Sequence, residues 1–221
     1  MPNERLFTRD TPPRHIAIEG PIGVGKSTLA KRLAESLNYT PVFEQAEENP
    51  FLEQFYSKQA NSALATQLFF LFQRVQQLDS LGDGDLFSGG YVADYLFAKD
   101  PLFASITLDS NELALYRKVY EQLAPNPPPV DLVIYLQAPV KVLRERVIQR
   151  GVRFERHISG DYLEALNEAY SEFFLRYDSS PLVIVNAAEI DFAHNEQHYQ
   201  QLLEYLLDIR GGRHYFNPTF F

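Results

Sequence analysis

Along this chain, apolar residues come either in short unbroken runs or in longer stretches that recur every three to four positions. Residues 14–19 (RHIAIE) read as a strand that passes straight into glycine. Over Lys26–Leu37, Leu29, Leu33 and Leu37 share one face and predict a helix. Residues 39–44 (YTPVFE) read as a second strand, with Pro41 marking an edge or a start. Residues 61–81 predict a long helix, with Leu64, Leu68, Leu71, Phe72, Val75 and Leu78 at helical spacing. Phe69 and Phe70 make it apolar nearly all round, which implies burial or a subunit interface. The turn-rich LGDGDLFSGG then leads to a third strand at residues 90–94.

In the second half, Asp109 and Glu112 form a capping box that opens a helix toward Leu123, and PNPPP ends it. Residues 131–136 (DLVIYL) are continuously apolar and β-rich, as a central parallel strand requires. Pro139 opens a helix carrying Arg144, Arg146 and Arg150. Asp161 with Glu164 caps another, with Leu163, Leu166, Tyr170, Phe173 and Tyr177 in register. A strand at Leu182–Asn186 and a helix over 194–209 complete the pattern. This alternation predicts an α/β fold, a doubly wound parallel sheet of about five strands with helices on both faces. One domain over 14–221 is expected to follow a polar, proline-bearing arm at 1–13.

Composition narrows what such a domain can do. Of 221 residues 45% are hydrophobic, enough for a sizeable core, and the net charge of −9 argues against a broad nucleic-acid footprint. Any polyanion must be held locally, by backbone NH groups and a few placed cations. The absence of cysteine removes disulfides, thiolate catalysis and thiolate zinc sites, and suits a reducing cytoplasm. No stretch has the length of a membrane span, and the five histidines show no metal-ligand spacing.

The chemistry begins at Gly20-Pro-Ile-Gly-Val-Gly25-Lys26-Ser27, which matches the G-x-x-x-x-G-K-[ST] phosphate-binding loop between a predicted strand and a predicted helix. Glycines let successive NH groups turn toward a phosphate, Lys26 reaches the β- and γ-phosphates of ATP, and Ser27 offers Mg²⁺ a hydroxyl. The nucleotide-binding set is therefore Gly20, Pro21, Ile22, Gly23, Val24, Gly25, Lys26, Ser27 and Thr28. A GTPase would need an N-K-x-D motif, which is absent, and a motor ATPase would end its central strand in Asp-Glu, where this chain has Gln137-Ala-Pro.

Glu44 closes the second predicted strand, the end that faces the phosphate loop in such folds. A phosphorylated acceptor would call for cations there, whereas an alcohol, with a proton to lose, calls for a carboxylate. Glu44, Glu47 and Glu48 without a nearby arginine favour the alcohol, with Glu44 as base. Arg146, Arg150, Arg153 and Arg156 cluster about Gly151 and predict a lid at about 150–158 that offsets charge on the transferred group.

Taken together, IEGPIGVGKSTLAKRL, Glu44, ENPFLEQFY, TQLFFLFQR, PLFA, DLVIYLQAP and RGVRFERHISGDYL resemble the deoxyribonucleoside kinases, in their bacterial deoxyadenosine/deoxyguanosine form. The resemblance runs from about Arg14 to Pro218. It implies a P-loop kinase that phosphorylates the 5′-hydroxyl of a deoxynucleoside, with a purine favoured, as a homodimer paired through helices. By the same resemblance, Tyr56 and Glu155 hold the 3′-hydroxyl, Gln67 and Arg74 meet the base, Phe103 stacks on it and Asp100 lies near it. Arg146 and Arg150 match the lid arginines. Where many members carry Glu-Arg-Ser this chain has Ala93-Asp94-Tyr95, so Asp94 takes the acid's part beside Mg²⁺ and the arginine's role has no holder. Val152 stands where a lid arginine is frequent, with Arg153 as its substitute. A nucleoside monophosphate kinase, a non-catalytic P-loop nucleotide-binding protein and a partner-binding protein that keeps the fold stay open as alternatives; intact Lys26 and Ser27 argue against the last.

Overall fold

A computed structural model describes residues 11–58, 62–82, 89–123, 126–209 and 211–217. Residues 1–10 of the expected arm, Asn61, and most of LGDGDLFSGG lie outside the described residues. The strands are β1 (His15–Glu19), β2 (Thr40–Val42), β3 (Tyr91–Ala93), β4 (Leu132–Gln137), β5 (Leu182–Asn186) and β6 (Arg213–Phe216). They form one parallel sheet in the order β2-β3-β1-β4-β5-β6. The helices are α1 (Lys26–Leu37), α2 (Leu52–Tyr56), α3 (Ser62–Gly82), α4 (Asp100–Thr107), α5 (Ser110–Leu123), α6 (Val140–Arg150), α7 (Gly160–Arg176) and α8 (Glu196–Leu206).

Strand alternation sends successive side chains into two cores. Ile16, Ile18, Ile134, Leu136, Val183 and Val185 meet Leu29 and Leu33 of α1 and Leu202 of α8 on one face. Ala17, Val133, Tyr135 and Leu182 meet Leu166, Tyr170 and Phe174 of α7 on the other. Leucines buried to this degree contribute about 1.5–3 kcal/mol each. A third cluster, built on Leu71, Phe97, Ala104, Leu108 and Tyr116, joins α3, α4 and α5 beside the sheet. The parallel, two-faced architecture expected from the alternation is thus present.

Several boundaries differ for local reasons. The sheet has a sixth strand, whose sequence RHYF alternates half-buried and exposed positions and so lacks an apolar run. The second strand stops at Val42, leaving Glu44 in the coil beyond it. The turns α2 and α4 were not expected; α4 starts at Asp100-Pro, with proline in its first turn. Helix α7 is capped by Ser159, which accepts from the Tyr162 NH, in place of the Asp161–Glu164 box. The Asp109–Glu112 box does form, each side chain accepting from the other residue's backbone NH. Asp131 accepts from the Arg14 and His15 NH groups and ties β4 to the start of β1.

His15, at that joint, stacks on Tyr91 with 4.2 Å between ring centroids and bonds the Pro129 carbonyl at 2.9 Å. Burial lowers its pKa to about 4, against the opposing pull of that carbonyl and of Asp131. In the unfolded chain the ring protonates near pH ~6.5, while the folded protein resists until about 4. Stability present at pH 7 is therefore lost as pH falls through that window, by about 1–2 kcal/mol for a partly accessible ring. Urea unfolding at pH 7 and 4.5 should show a smaller loss in His15→Gln; equal losses would refute the assignment.

Candidate active site

The turn between β1 and α1 lies where the sheet's winding reverses, since β1 pairs with β3 on one side and β4 on the other. Gly20 and Gly25 sit at φ 147° and 108°, where a side chain is strained. A Cβ at Gly20 would strike the Leu136 carbonyl oxygen, and one at Gly25 would lie 2.9 Å from the Phe192 ring. No side chain caps α1 at Gly25 and its first turn carries no acidic residue, so its positive end faces the loop. Lys26 Nζ donates to the carbonyls of Gly20 at 2.8 Å and Pro21 at 3.4 Å. Burial first, then the neighbouring Lys99, lowers its pKa.

Ser27 Oγ donates to Asp94 Oδ2 at 2.5 Å, while Asp94 Oδ1 accepts from the Glu44 NH at 2.7 Å. One carboxylate thus links the phosphate loop to the backbone at Glu44. Burial raises the Asp94 pKa, and these two hydrogen bonds oppose it. A hydroxyl and a carboxylate beside a phosphate loop are the hard oxygen donors that Mg²⁺ prefers, so the pair fits that ion. Among the described residues, no three His, Asp or Glu side chains converge into a separate metal cluster.

Facing this loop is a cleft of about 410 Å³, lined by Lys26, Ser27, Glu44, Gln67, Arg74 and Phe103 among others. Glu44 Oε1 is paired with Arg74 and lies 3.5 Å from Lys99 Nζ. Burial is the largest influence on this carboxyl and pushes it up, yet Lys99, Arg74 and Lys26 together outweigh it and hold the pKa at about 2. Arg74 also pairs with the fully buried Asp100, which in turn accepts from the Tyr116 hydroxyl. Gln67 is buried two turns earlier on α3, and Phe103 sets its ring edge-on to Tyr170 at 6.0 Å. The far wall carries Tyr56 stacked on Phe154 at 6.4 Å, and Glu155 bonded to Arg150.

A family model for deoxynucleoside kinases matches residues 16–209. The chain belongs to the deoxynucleoside kinase family. It is 32% identical over 199 residues to a deoxyguanosine kinase of Bacillus subtilis, covering 88% of this chain and 96% of that one. It is likewise 32% identical over 212 residues to a deoxyadenosine kinase of Dictyostelium discoideum, covering 93% and 84%. Among solved structures, deoxyadenosine kinase from M. mycoides with bound dATP superposes with a TM-score of 0.74 at 29% identity, over 86% of this chain and 97% of that one. Family members are ATP-dependent phosphotransferases, and this chain is one.

Within this deoxynucleoside kinase, most of the expected site residues converge, and three do not stand where the sequence put them. Glu44, Tyr56, Gln67, Arg74, Phe103, Arg150 and Glu155 share the cleft with Lys26 and Ser27. Asp100 is not on its wall: it lies behind Arg74 and reaches the cleft only through that guanidinium. Arg146 turns away to donate to the Val24 carbonyl at 3.2 Å and the Ala187 carbonyl at 2.8 Å, bracing the phosphate loop from α6. Arg153 faces solvent near Glu53, while Val152 lines the cleft.

Sequence reasoning missed Glu19, Lys99 and Tyr162. Tyr162 lines the cleft from α7 with its ring 6.1 Å from Tyr56. Glu19 and Lys99 form an ion pair at 3.4 Å, both almost wholly buried. Each had a signal: Glu19 ends an otherwise apolar strand, and Lys99 interrupts the apolar run LFAKDPLFA. Lys99, four residues beyond Tyr95, sets its ammonium beside Glu44.

Proposed function

We propose that this kinase transfers the γ-phosphate of ATP to the 5′-hydroxyl of a deoxyribonucleoside, with purines favoured. The observation that carries the reading is the carboxylate of Glu44, facing the phosphate loop across the cleft, on a residue whose backbone NH is tied through Asp94 to Ser27. A carboxylate there suits an acceptor with a proton to lose. A nucleoside monophosphate would need spare cations, and the one buried arginine on this wall, Arg74, is already matched by Glu44 and Asp100.

Glu44 orients the hydroxyl and takes its proton late, as the new P–O bond forms and the attacking oxygen becomes acidic. A carboxyl held near 2 is too weak a base to remove it earlier. Lys26 and Arg150 offset charge on the transferring group. Ser27 and Asp94 would hold Mg²⁺, which would supply further charge neutralisation. Tyr56 and Glu155 hold the 3′-hydroxyl, Phe103 stacks on the base, and the Gln67 amide pairs with an amino-bearing base edge next to a ring nitrogen. The purine preference is drawn from relatives named deoxyguanosine and deoxyadenosine kinases.

A coupled assay with the four deoxynucleosides, their monophosphates and their 2′,3′-dideoxy counterparts tests this reading. Deoxyadenosine or deoxyguanosine should lead and thymidine, which lacks the amino group, should trail. Dideoxy substrates should lose about 1–3 kcal/mol in kcat/KM, the cost of leaving Tyr56 and Glu155 unpaired. Faster turnover of monophosphates would overturn the acceptor assignment.

The same reading includes a homodimer through the packed helices α3 and α5, which expose Phe72 at 46% and Leu115 at 49%. Sedimentation at the mass of one chain would refute it. No helix among the described residues is long and apolar enough to cross a membrane. The proposed compartment is the cytoplasm, where a cysteine-free chain needs no disulfide, and cell fractionation checks it.

A further inference from the structure

Lys99 is 2% exposed, on the turn between β3 and α4, with its ammonium set between two carboxylates. A buried ammonium is costly unless its partners compensate for lost water. Its two partners are unlike. Glu19 belongs to the central strand and is fixed: its Oε2 accepts from the Gly20 NH and the Tyr170 hydroxyl, and its Oε1 accepts from the Leu96 NH at 2.5 Å. Glu44 stands in coil, where the backbone alone does not fix its side chain. The ammonium, 3.4 Å from Glu19 and 3.5 Å from Glu44, therefore ties the Glu44 carboxylate to the central strand of the sheet.

Both cations that reach Glu44 act on the same oxygen. Arg74 and Lys99 each make their nearest approach at Oε1, and no hydrogen bond among the described residues engages Oε2. The carboxylate is thus held by one oxygen from two sides, leaving the other for the acceptor. We infer that Lys99, anchored on Glu19, is a positioning residue that orients Glu44 so that Oε2 meets the acceptor hydroxyl. The assignment rests on the proposed alcohol-acceptor reading of the same cleft. It adds a residue with no counterpart in the motif-based site, and it gives Glu19, the last residue before the phosphate loop, a role in the transfer step.

The test uses the full chain with Lys99→Met, which keeps length and removes charge. With Lys99 acting through Glu44, kcat should fall by about 30-fold or more while KM for ATP stays within about threefold, because Lys99 pairs with Glu19 and Glu44 and the loss of its repulsion only favours the charged form of Lys26. In Lys99→Ala, methylammonium should restore a measurable part of kcat, and tetramethylammonium at equal ionic strength should not. A merely structural lysine would show neither the kcat-only loss nor the cation-specific recovery. If Lys99→Met retains more than a third of the wild-type kcat, or if methylammonium restores nothing, the assignment fails. Should Lys99→Met not fold, Lys99→Gln is judged by the same kcat and KM criteria. Wild-type preference for monophosphates would sink the acceptor reading whatever these variants do, whereas an active Lys99→Met with nucleoside-specific wild type sinks only the role of Lys99.

Discussion

Lys26→Ala should lower kcat on the order of 10³-fold, about 4 kcal/mol of barrier, and single-turnover transfer should fall with it. The ammonium now rests on the Gly20 and Pro21 carbonyls, within the curl that the β- and γ-phosphates would occupy. Release from two carbonyls costs little beside what it gains on a transferring phosphoryl group. The stabilisation is therefore greatest in the transition state, and kcat rather than nucleotide affinity should carry most of the loss. Burial and Lys99 depress its pKa, and a ligand anion would act in the opposite direction, favouring the charged form. Retention of even a tenth of the wild-type kcat would show that another group supplies the charge.

The Glu44→Gln variant should lose about 10²–10⁴ in kcat with little change in ATP affinity, since the amide keeps the shape but cannot accept the proton. A second effect accompanies it. Arg74 and Lys99 lose the anion they share, and leaving buried cations short of a partner typically costs about 3–5 kcal/mol. Asp100 and Glu19 remain to compensate each of them, so the loss of folding stability should be smaller, about 1–3 kcal/mol. Thermal unfolding measures that part and steady-state kinetics the other. A variant that keeps its kcat, or one whose inactivity disappears below its unfolding temperature, would remove Glu44 from the proton path.

These two residues were legible in the sequence because their signals are local. The glycine–lysine–serine loop is one continuous motif between a strand and a helix, and Glu44 follows the next strand by a short step. The central strands were equally clear, since both of their faces are buried and they read as unbroken apolar runs. Strand β6 was not, because an edge strand half in water carries no such run. Lys99 was hidden for a different reason. An isolated lysine is ordinarily solvated, and only the packing of its turn against β1, through Glu19, makes it a buried partner. Asp100 shows the converse: the resemblance put it near the base, but whether a carboxylate faces the ligand or stands behind a guanidinium depends on the seating of α4.

The central position of β1 has a bearing on how the protein is made. Ile16 pairs with Val92 on one side and Leu132 on the other, both far along the chain. The Cβ-excluding wall at Gly20 is the Leu136 carbonyl, at the end of β4. A nascent chain emerging from the ribosome therefore carries its nucleotide motif long before it owns the walls that shape it. Such distant pairings are slow to form because loop closure must precede the contacts that reward it. Nucleotide should accordingly bind only after β4 has docked, and act late in synthesis as a clamp on the finished sheet rather than as a seed for it.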